Sequence, residues 1–189
     1  MNCLLTGVGG QGTVLASKLI AQCAINRGQS ARTAETIGMA QRGGSVVSHV
    51  RLGENAYSPL IPMGRADVII AFEPAEAVRA LPYLKQGGTV VVNSRAVKPV
   101  TDAQAATAYH GEDMLSFLRE NTEKVYIVDG DAALEALGSQ KVLNLVLLGA
   151  AARLGLLGIT LRELEAVIDE KIPEKFRELN KKAIVAAKI

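Results

Sequence analysis

Cysteine is scarce in this sequence. Only Cys3 and Cys23 occur among 189 residues, each at an apolar position of a predicted strand or helix. Two thiols so far apart supply neither the ligands of an iron–sulfur cluster nor a zinc framework, so this chain cannot carry a cluster by itself. We expect both thiols to pack in the core of a protein in the reducing cytoplasm.

A strong charge of either sign is also missing. The 21 Lys and Arg residues and 19 Asp and Glu residues leave a formal net charge of +2. Nucleic acids and anionic membranes attract dense positive charge, so we expect neither as a partner. The longest apolar run, Leu145 to Leu157, contains Arg153 and two glycines and is too short to span a bilayer. A charged segment with a cleavage site is missing before the first strand, so we expect no signal peptide.

Residues that carry catalysis or bind metals are few. His49 and His110 are the only histidines, and neither lies in a cluster of carboxylates, so we expect no metal site. His49 has no nucleophile motif beside it, and we expect a hydrogen-bonding role and no catalytic residue in this chain. The segment Asp129 to Asp131 reads Asp-Gly-Asp, which does not match the Gly-Asp-Gly of thiamine diphosphate enzymes, and we expect a helix cap there.

Short apolar runs alternate with helical patterns along the chain. The predicted strands are residues 2–6, 30–36, 45–52, 67–72, 89–93 and 125–128. Helices are predicted after residue 12, from Pro74, over 114–120, 132–137 and 141–154, after a capping box at Thr160 and Glu163, and from Pro173. This order predicts one α/β domain over 1–189, a three-layer Rossmann-like fold with a mainly parallel sheet and a helical C-terminal region. The last helix is expected to bury Phe176, Leu179, Ala183, Ile184 and Ala187.

The first strand leads into a glycine-rich turn, GVGGQG, in which Gly7, Gly9 and Gly12 fit the pattern G-x-G-x-x-G. Because its glycines have no side chains, the turn lets a ligand approach the backbone. The helix that follows presents free N–H groups to an anion such as phosphate. Thr13 and Val14 follow the last glycine, so the lysine of an ATPase P-loop is missing.

A dinucleotide site would also need an acidic residue about 20 positions further on. Glu35 stands roughly there, but the strand leading to it, SARTAET, is polar where such a strand is usually apolar. Two interpretations therefore stay open. The chain is either a free-standing NAD-binding oxidoreductase or nucleotide sensor, or a protein that uses the turn as a structural element with at most a bound anion.

A second glycine-rich segment, QRGG at 41–44, lies between two predicted strands. Its glycines can give Arg42 a turn that directs the guanidinium outward, where it would bind a carboxylate or phosphate in a bidentate way. Alternatively, Arg42 pairs with Glu35 and only fixes the loop. The residues themselves do not separate these two roles.

Together these segments resemble a known family. GVGGQG, then TAETIGMAQRGGSVVSHVRLG, SPLIP and FEPAEA occur in the order found in gamma-type subunits of 2-oxoacid:ferredoxin oxidoreductases, most closely the beta subunit of indolepyruvate ferredoxin oxidoreductase. The resemblance covers nearly the whole chain. It implies one subunit of a larger enzyme and an isolated chain without activity.

Enzymes of this family decarboxylate a 2-oxoacid, in the indolepyruvate type an aryl pyruvate, on thiamine diphosphate. They pass electrons through iron–sulfur clusters to ferredoxin and the acyl group to coenzyme A. The resemblance implies that a large partner subunit holds the thiamine diphosphate and the clusters, in agreement with the scarcity of cysteine here. Without that partner, the isolated chain could form a homodimer.

The resemblance also implies a groove or subunit contact around the two glycine-rich segments. The residues expected to line it are Gly7, Gly9, Gly10, Gln11, Gly12, Thr13, Glu35, Gln41, Arg42, Gly43 and Gly44. Whether they contact coenzyme A, thiamine diphosphate or only protein is left open by the sequence.

Overall fold

A six-stranded sheet between two layers of helices organises this chain. The structure is a computed structural model, and it describes residues 1–37, 44–54, 56–97 and 109–188. The strands are β1 (Asn2–Val8), β2 (Ala31–Ile37), β3 (Ser45–Leu52), β4 (Ala66–Ala71), β5 (Leu84–Asn93) and β6 (Lys124–Val128). The helices are α1 (Thr13–Asn26), α2 (Pro74–Ala80), α3 (Gly111–Asn121), α4 (Gly130–Leu137), α5 (Leu143–Arg153), α6 (Leu161–Lys171) and α7 (Glu174–Ala186), with 3₁₀ turns at Leu81–Tyr83 and Gln140–Val142.

The strands lie in the order β2-β3-β1-β4-β5-β6. The strands β1, β4, β5 and β6 are parallel, and β3 runs antiparallel to both of its neighbours, β1 and β2. Only residues 38–44 connect β2 to β3, fewer than the dozen or so that a parallel crossover requires, so these two strands must pair as a hairpin. The predicted three-layer α/β fold with a mainly parallel sheet is confirmed, and the reversal of β3 is its departure from a plain repeated unit.

Each face of the sheet has its own apolar core. Successive residues of a strand point to opposite faces, so Leu5 and Ile70 enter the core beneath α1, α5, α6 and α7, whereas Leu4 and Ile69 enter the core beneath α2 and α3. All of α5 from Leu143 to Ala152 is buried, which explains the longest apolar run of the sequence as a core helix. Within the described residues, every helix is too short or too polar to cross a membrane.

The helical C-terminal region is confirmed with one correction. Thr160 and Glu163 form the predicted capping box, with the Thr160 N–H donating to Glu163 Oε2 at 2.7 Å and the Glu163 N–H donating to Thr160 Oγ1 at 3.3 Å. Ala183 and Ile184 of α7 and Ala187 directly after it are buried as expected, and Leu179 is partly buried against the same core. The prediction for Phe176 was wrong, because its ring lies in the first turn of α7, 47% exposed, with the Lys175 ammonium 4.9 Å from the ring centroid.

Both cysteines are free and buried, as the sequence predicts. Cys23 lies on α1 with its Sγ 3.7 Å from the carbonyl oxygen of Glu163. Burial first, and the nearby Glu163 charge second, raise the pKa of Cys23 to about 11, and burial also raises the pKa of Cys3. Thiols kept neutral in this way act as small apolar residues of the core.

Candidate functional site

The carboxyl ends of the parallel strands form the candidate site. The glycine turn follows β1, the FEPAEA segment follows β4, Arg95 lies just beyond β5, and Asp129 follows β6. Ligands of open α/β sheets bind at this edge, where strand ends and helix N-termini meet.

The glycines of the turn are required for different reasons. A Cβ on Gly7 would lie 2.8 Å from Phe72 Cβ, because β1 and the residue after β4 come into direct contact there. Gly12 has a φ of +85°, which disfavours any side chain, and a Cβ would lie 2.8 Å from the Asn144 amide nitrogen of α5. Gly9 donates its N–H to the carbonyl oxygen of Gly44 at 2.9 Å, which joins the first glycine segment to the end of the second.

Two side-chain amides connect the strand ends. Gln11 accepts the Val8 N–H through Oε1 at 2.7 Å and donates from Nε2 to the Phe72 carbonyl oxygen at 3.4 Å. Asn93 donates to the same carbonyl oxygen at 3.3 Å and accepts the Gly130 N–H at 3.1 Å. The ends of β1, β4 and β5 and the start of α4 are thus held in one fixed arrangement. Asn93 was not among the predicted site residues, because its only signal in the sequence is a polar residue at the end of an apolar strand.

This arrangement disfavours the dinucleotide interpretation. The crevice between β1 and β4, where the strand order reverses, is the usual place for a diphosphate, and the Gln11 side chain bridges it. Glu35 pairs with Ser48 of β3, which in turn pairs with Leu5 of β1. Glu35 is therefore two strand spacings, about 10 Å, from β1, and it is level with the middle of β1 instead of with the turn.

A cleft of about 290 Å³ opens beside the glycine turn. Arg95 lies in it, 3.1 Å from Asp131 Oδ1 and 3.3 Å from Gln140 Oε1, and Lys141 supplies a second cation. The lining residues are Gly10, Gln11, Gly12, Asn93, Arg95, Val97, Asp131, Leu134, Gln140, Lys141 and Leu143. Two cations, one carboxylate and the N-terminal end of α1 favour an anionic ligand. A larger cavity of about 470 Å³ lies at the opposite edge of the sheet, beside Met1 and Gly53, away from this cluster.

The FEPAEA segment places two buried carboxylates at the same edge. Glu73, 2% exposed, caps α2 by accepting the Glu76 N–H at 2.8 Å and also accepts the Tyr109 hydroxyl at 2.8 Å. Glu76, equally buried, accepts the Ser45 hydroxyl and pairs with Arg79. Burial first, then the hydrogen bond to Glu73, raises the pKa of Tyr109. These carboxylates hold the segments around Ser45 and Tyr109 in place.

The structure brings most of the predicted site residues together. Five of them belong to the turn segment, Gly44 contacts it through the bond to Gly9, and Thr13 is the buried first residue of α1. The five residues of the turn segment are Gly7, Gly9, Gly10, Gln11 and Gly12. Glu35 lies apart, on β2, and Gln41, Arg42 and Gly43 are outside the described residues. Arg95 and Lys141 were missed, because only the fold brings them next to Gly10.

His49 is structural, as expected. Its ring is 3% exposed, its Nδ1 accepts the Ile61 N–H at 3.1 Å, and it contacts the Tyr83 ring edge-to-face with 5.8 Å between centroids. Burial lowers the pKa of His49. It lies in the sheet, away from the cleft at the strand ends.

We expect His49 to contribute to acid unfolding. Because the pKa in the folded state lies below the ordinary value of 6.5, the unfolded chain binds the proton first, and stability declines as the pH falls below that value. The substitution His49→Gln keeps an acceptor for the Ile61 N–H and should flatten the decline in the free energy of unfolding between about pH 7 and pH 5. Urea unfolding at several pH values measures it, with exposed His110→Gln as the control. An unchanged slope in His49→Gln would contradict this assignment.

The chain is similar to proteins of known families over nearly its whole length. The family model of pyruvate ferredoxin/flavodoxin oxidoreductase matches residues 2–188. The indolepyruvate oxidoreductase subunit IorB of Archaeoglobus fulgidus is 39% identical over 186 residues, 97% of this chain and 92% of that protein. The pyruvate/ketoisovalerate oxidoreductases common subunit gamma of Pyrococcus abyssi is 28% identical, over 94% of this chain and 89% of its own. Among solved structures, the gamma subunit of keto/oxoacid ferredoxin oxidoreductase from Geobacter sulfurreducens superimposes with a TM-score of 0.69 at 25% identity, covering 97% of this chain and 93% of that one.

Proposed function

Because this chain belongs to the pyruvate ferredoxin/flavodoxin oxidoreductase family, we propose that it is the small subunit of a 2-oxoacid:ferredoxin oxidoreductase that acts on indolepyruvate and related aryl pyruvates. Membership confirms the resemblance expected from GVGGQG, QRGG and FEPAEA. The observation that supports aryl pyruvates as the substrate class is the 39% identity to a subunit of an indolepyruvate enzyme. The identity to a subunit shared by pyruvate and ketoisovalerate enzymes is 28%.

In this proposal, a large partner subunit holds the redox centres of the enzyme. Both cysteines of this chain are buried in its core and supply no cluster ligands. Among the described residues, His, Cys, Asp and Glu do not gather into a group of three that could hold a metal ion. Thiamine diphosphate and the iron–sulfur clusters would therefore belong to the partner, which passes electrons to ferredoxin. We place this enzyme in the cytoplasm and treat residues 1–189 as one domain of it.

The cleft beside the glycine turn fits a phosphate group of coenzyme A. Gly10 has open space where a side chain would be and leaves the backbone accessible, α1 directs its N-terminus toward the site, and Arg95 and Lys141 supply positive charge. When bound, coenzyme A accepts the acyl group through its thiol. This chain's residues would bind and orient it, while Gln11 and Asn93 keep the turn and the strand ends in position. NAD fits less well, since Glu35 is not beside the turn.

The test is a gentle affinity purification of this chain from its native host, with an absorption spectrum and mass spectrometry of what accompanies it. The proposal expects a brown complex with a large, cysteine-rich, thiamine-dependent subunit that reduces a dye when given indolepyruvate. Faster dye reduction with pyruvate would reject the substrate class alone. A colourless chain that arrives alone and binds NAD would reject the whole proposal in favour of a free-standing nucleotide-binding protein.

A further inference from the structure

On the sheet face that carries α2 and α3, the helices of the described residues leave β2 and β3 uncovered. On this face α2 packs on β1, β4 and β5, and α3 packs on β6, whereas α1 covers β2 and β3 on the opposite face. Over β3, the segment 56–64 takes the place of a helix. Its Ile61 is 2% exposed and packs in the core with Leu4 and Ile69, and its N–H donates to His49.

The segment 56–64 is fixed although it has no regular structure. Arg51 donates to the carbonyl oxygens of Ser58 at 2.9 Å and Leu60 at 3.3 Å. Arg32 donates from Nε to the carbonyl oxygen of Ala56 at 2.6 Å, and the Gly64 N–H donates to the carbonyl oxygen of Pro82 at 2.9 Å. These bonds come from β3, β2 and the turn after α2, so the segment is tied to three separate elements.

Three large apolar side chains of this segment point away from the fold. Tyr57 is 85% exposed, Met63 71% and Leu60 51%. Ile61 already anchors the segment, so the burial of these three is not what holds it. Tyrosine and methionine are enriched in protein interfaces, and a segment that is ordered before binding loses little entropy on association.

Arginines surround this apolar segment. Arg32 and Arg51 contact it through their guanidinium groups, and Arg65 follows it directly. None of the three forms an ion pair with a carboxylate in the part of the chain that the structure describes. Their charge is left for a partner, and the complementary surface has an apolar centre with carboxylates around it.

We propose that segment 56–64, with the adjoining face of β2, is the docking surface for the large subunit, and that this subunit presents an apolar patch bordered by Asp and Glu residues. The inference rests on the proposed function, because it takes the large thiamine-bearing subunit as the occupant. A protein partner is favoured because the exposed groups are a tyrosine, a leucine and a methionine on an ordered backbone with unpaired arginines at the border.

The experiment co-expresses the tagged chain with the large subunit and measures how much large subunit copurifies. The double variant Tyr57→Ser, Met63→Ser should retain at least tenfold less, with the thermal unfolding of the free chain unchanged. The control double variant Ile25→Ser, Val185→Ser alters side chains that are each 52% exposed on α1 and α7, and should retain the full amount. In kinetic measurements, Arg32→Gln, Arg65→Gln should slow association and weaken its dependence on salt.

The outcomes separate this proposal from the proposed function. If the wild-type chain captures no large subunit, the proposed function fails and the docking surface with it. If the wild-type chain and the Tyr57→Ser, Met63→Ser variant capture it equally, only the docking surface is rejected. If the variant dissociates a homodimer of the free chain but leaves the complex intact, the surface binds a second copy instead, and the proposal is overturned.

Discussion

Replacing Gly149 by alanine is expected to destabilise this chain by about 3 kcal/mol, although alanine is the better helix former by about 1 kcal/mol. Gly149 lies inside α5, and a Cβ there would be 1.9 Å from the carbonyl oxygen of Ile184 in α7. The obstructing atom belongs to the backbone, so no side-chain rotation relieves the contact. The whole of α7 must shift, and Ala183 and Ile184 lose part of their core packing.

Thermal unfolding measures this effect. For a chain of this size a loss of about 3 kcal/mol lowers the unfolding temperature by about 6–12 °C. Gly155→Ala is the control, since Gly155 follows the same helix with a φ of +70° and open space around its Cβ, and backbone strain alone costs about 1–2 kcal/mol there. A Gly149→Ala variant that melts at or above the wild-type temperature would show that the two helices do not cross so closely.

In the intact complex, Arg95→Gln combined with Lys141→Gln should raise the KM for coenzyme A at least tenfold and leave the KM for the 2-oxoacid unchanged. A hydrogen bond to a charged group contributes about 1.5–3 kcal/mol, but both side chains are partly exposed and solvent screening reduces that figure. Even with this reduction, the loss of both cations should change the KM for coenzyme A about tenfold, which corresponds to about 1.4 kcal/mol. Activity should recover when coenzyme A is raised to saturation.

The matched control is Arg119→Gln with Lys124→Gln, two exposed cations on α3 and at the amino end of β6, away from the cleft. This control should leave both KM values unchanged. If the cleft variant assembles normally and keeps the wild-type KM for coenzyme A, the cleft is not its binding site. The subunit would then serve to stabilise the large one. Recovery of full activity at high coenzyme A distinguishes a binding defect from a misfolded subunit.

Local patterns allowed most of the fold to be predicted. The alternation in SVVSHVRL predicted both ends of β3 correctly, and the capping box predicted the start of α6. Each of these signals depends on residues within a few positions of one another. The start of α5 was misplaced. A helix was predicted over 141–154, but the Lys141 N–H donates to Ser139 Oγ at 3.3 Å in a 3₁₀ turn, and the α-helix begins at Leu143.

The candidate site was predicted only in its local part. The glycine turn carries its own signal at Gly12, whose positive φ is a local requirement, whereas the need for Gly7 comes from the close approach of the distant Phe72. The place of β3 between β1 and β2 depends on pairing between distant residues and has no local signal. For the same reason nothing in the sequence linked Arg95 or Lys141 to the turn.

The reversed strand β3 also affects the order in which the strands can pair during synthesis. Strand β1 leaves the ribosome first, and its two partners, β3 and β4, are synthesised later. Strand β1 can pair on both sides only after synthesis has reached Ala71, the end of β4. The β2–β3 hairpin closes over a short connection, so its contacts are local and we expect it to pair early, before β3 joins β1. We expect a nascent chain halted before that point to expose the unpaired edges of the apolar strand β1, which would favour aggregation.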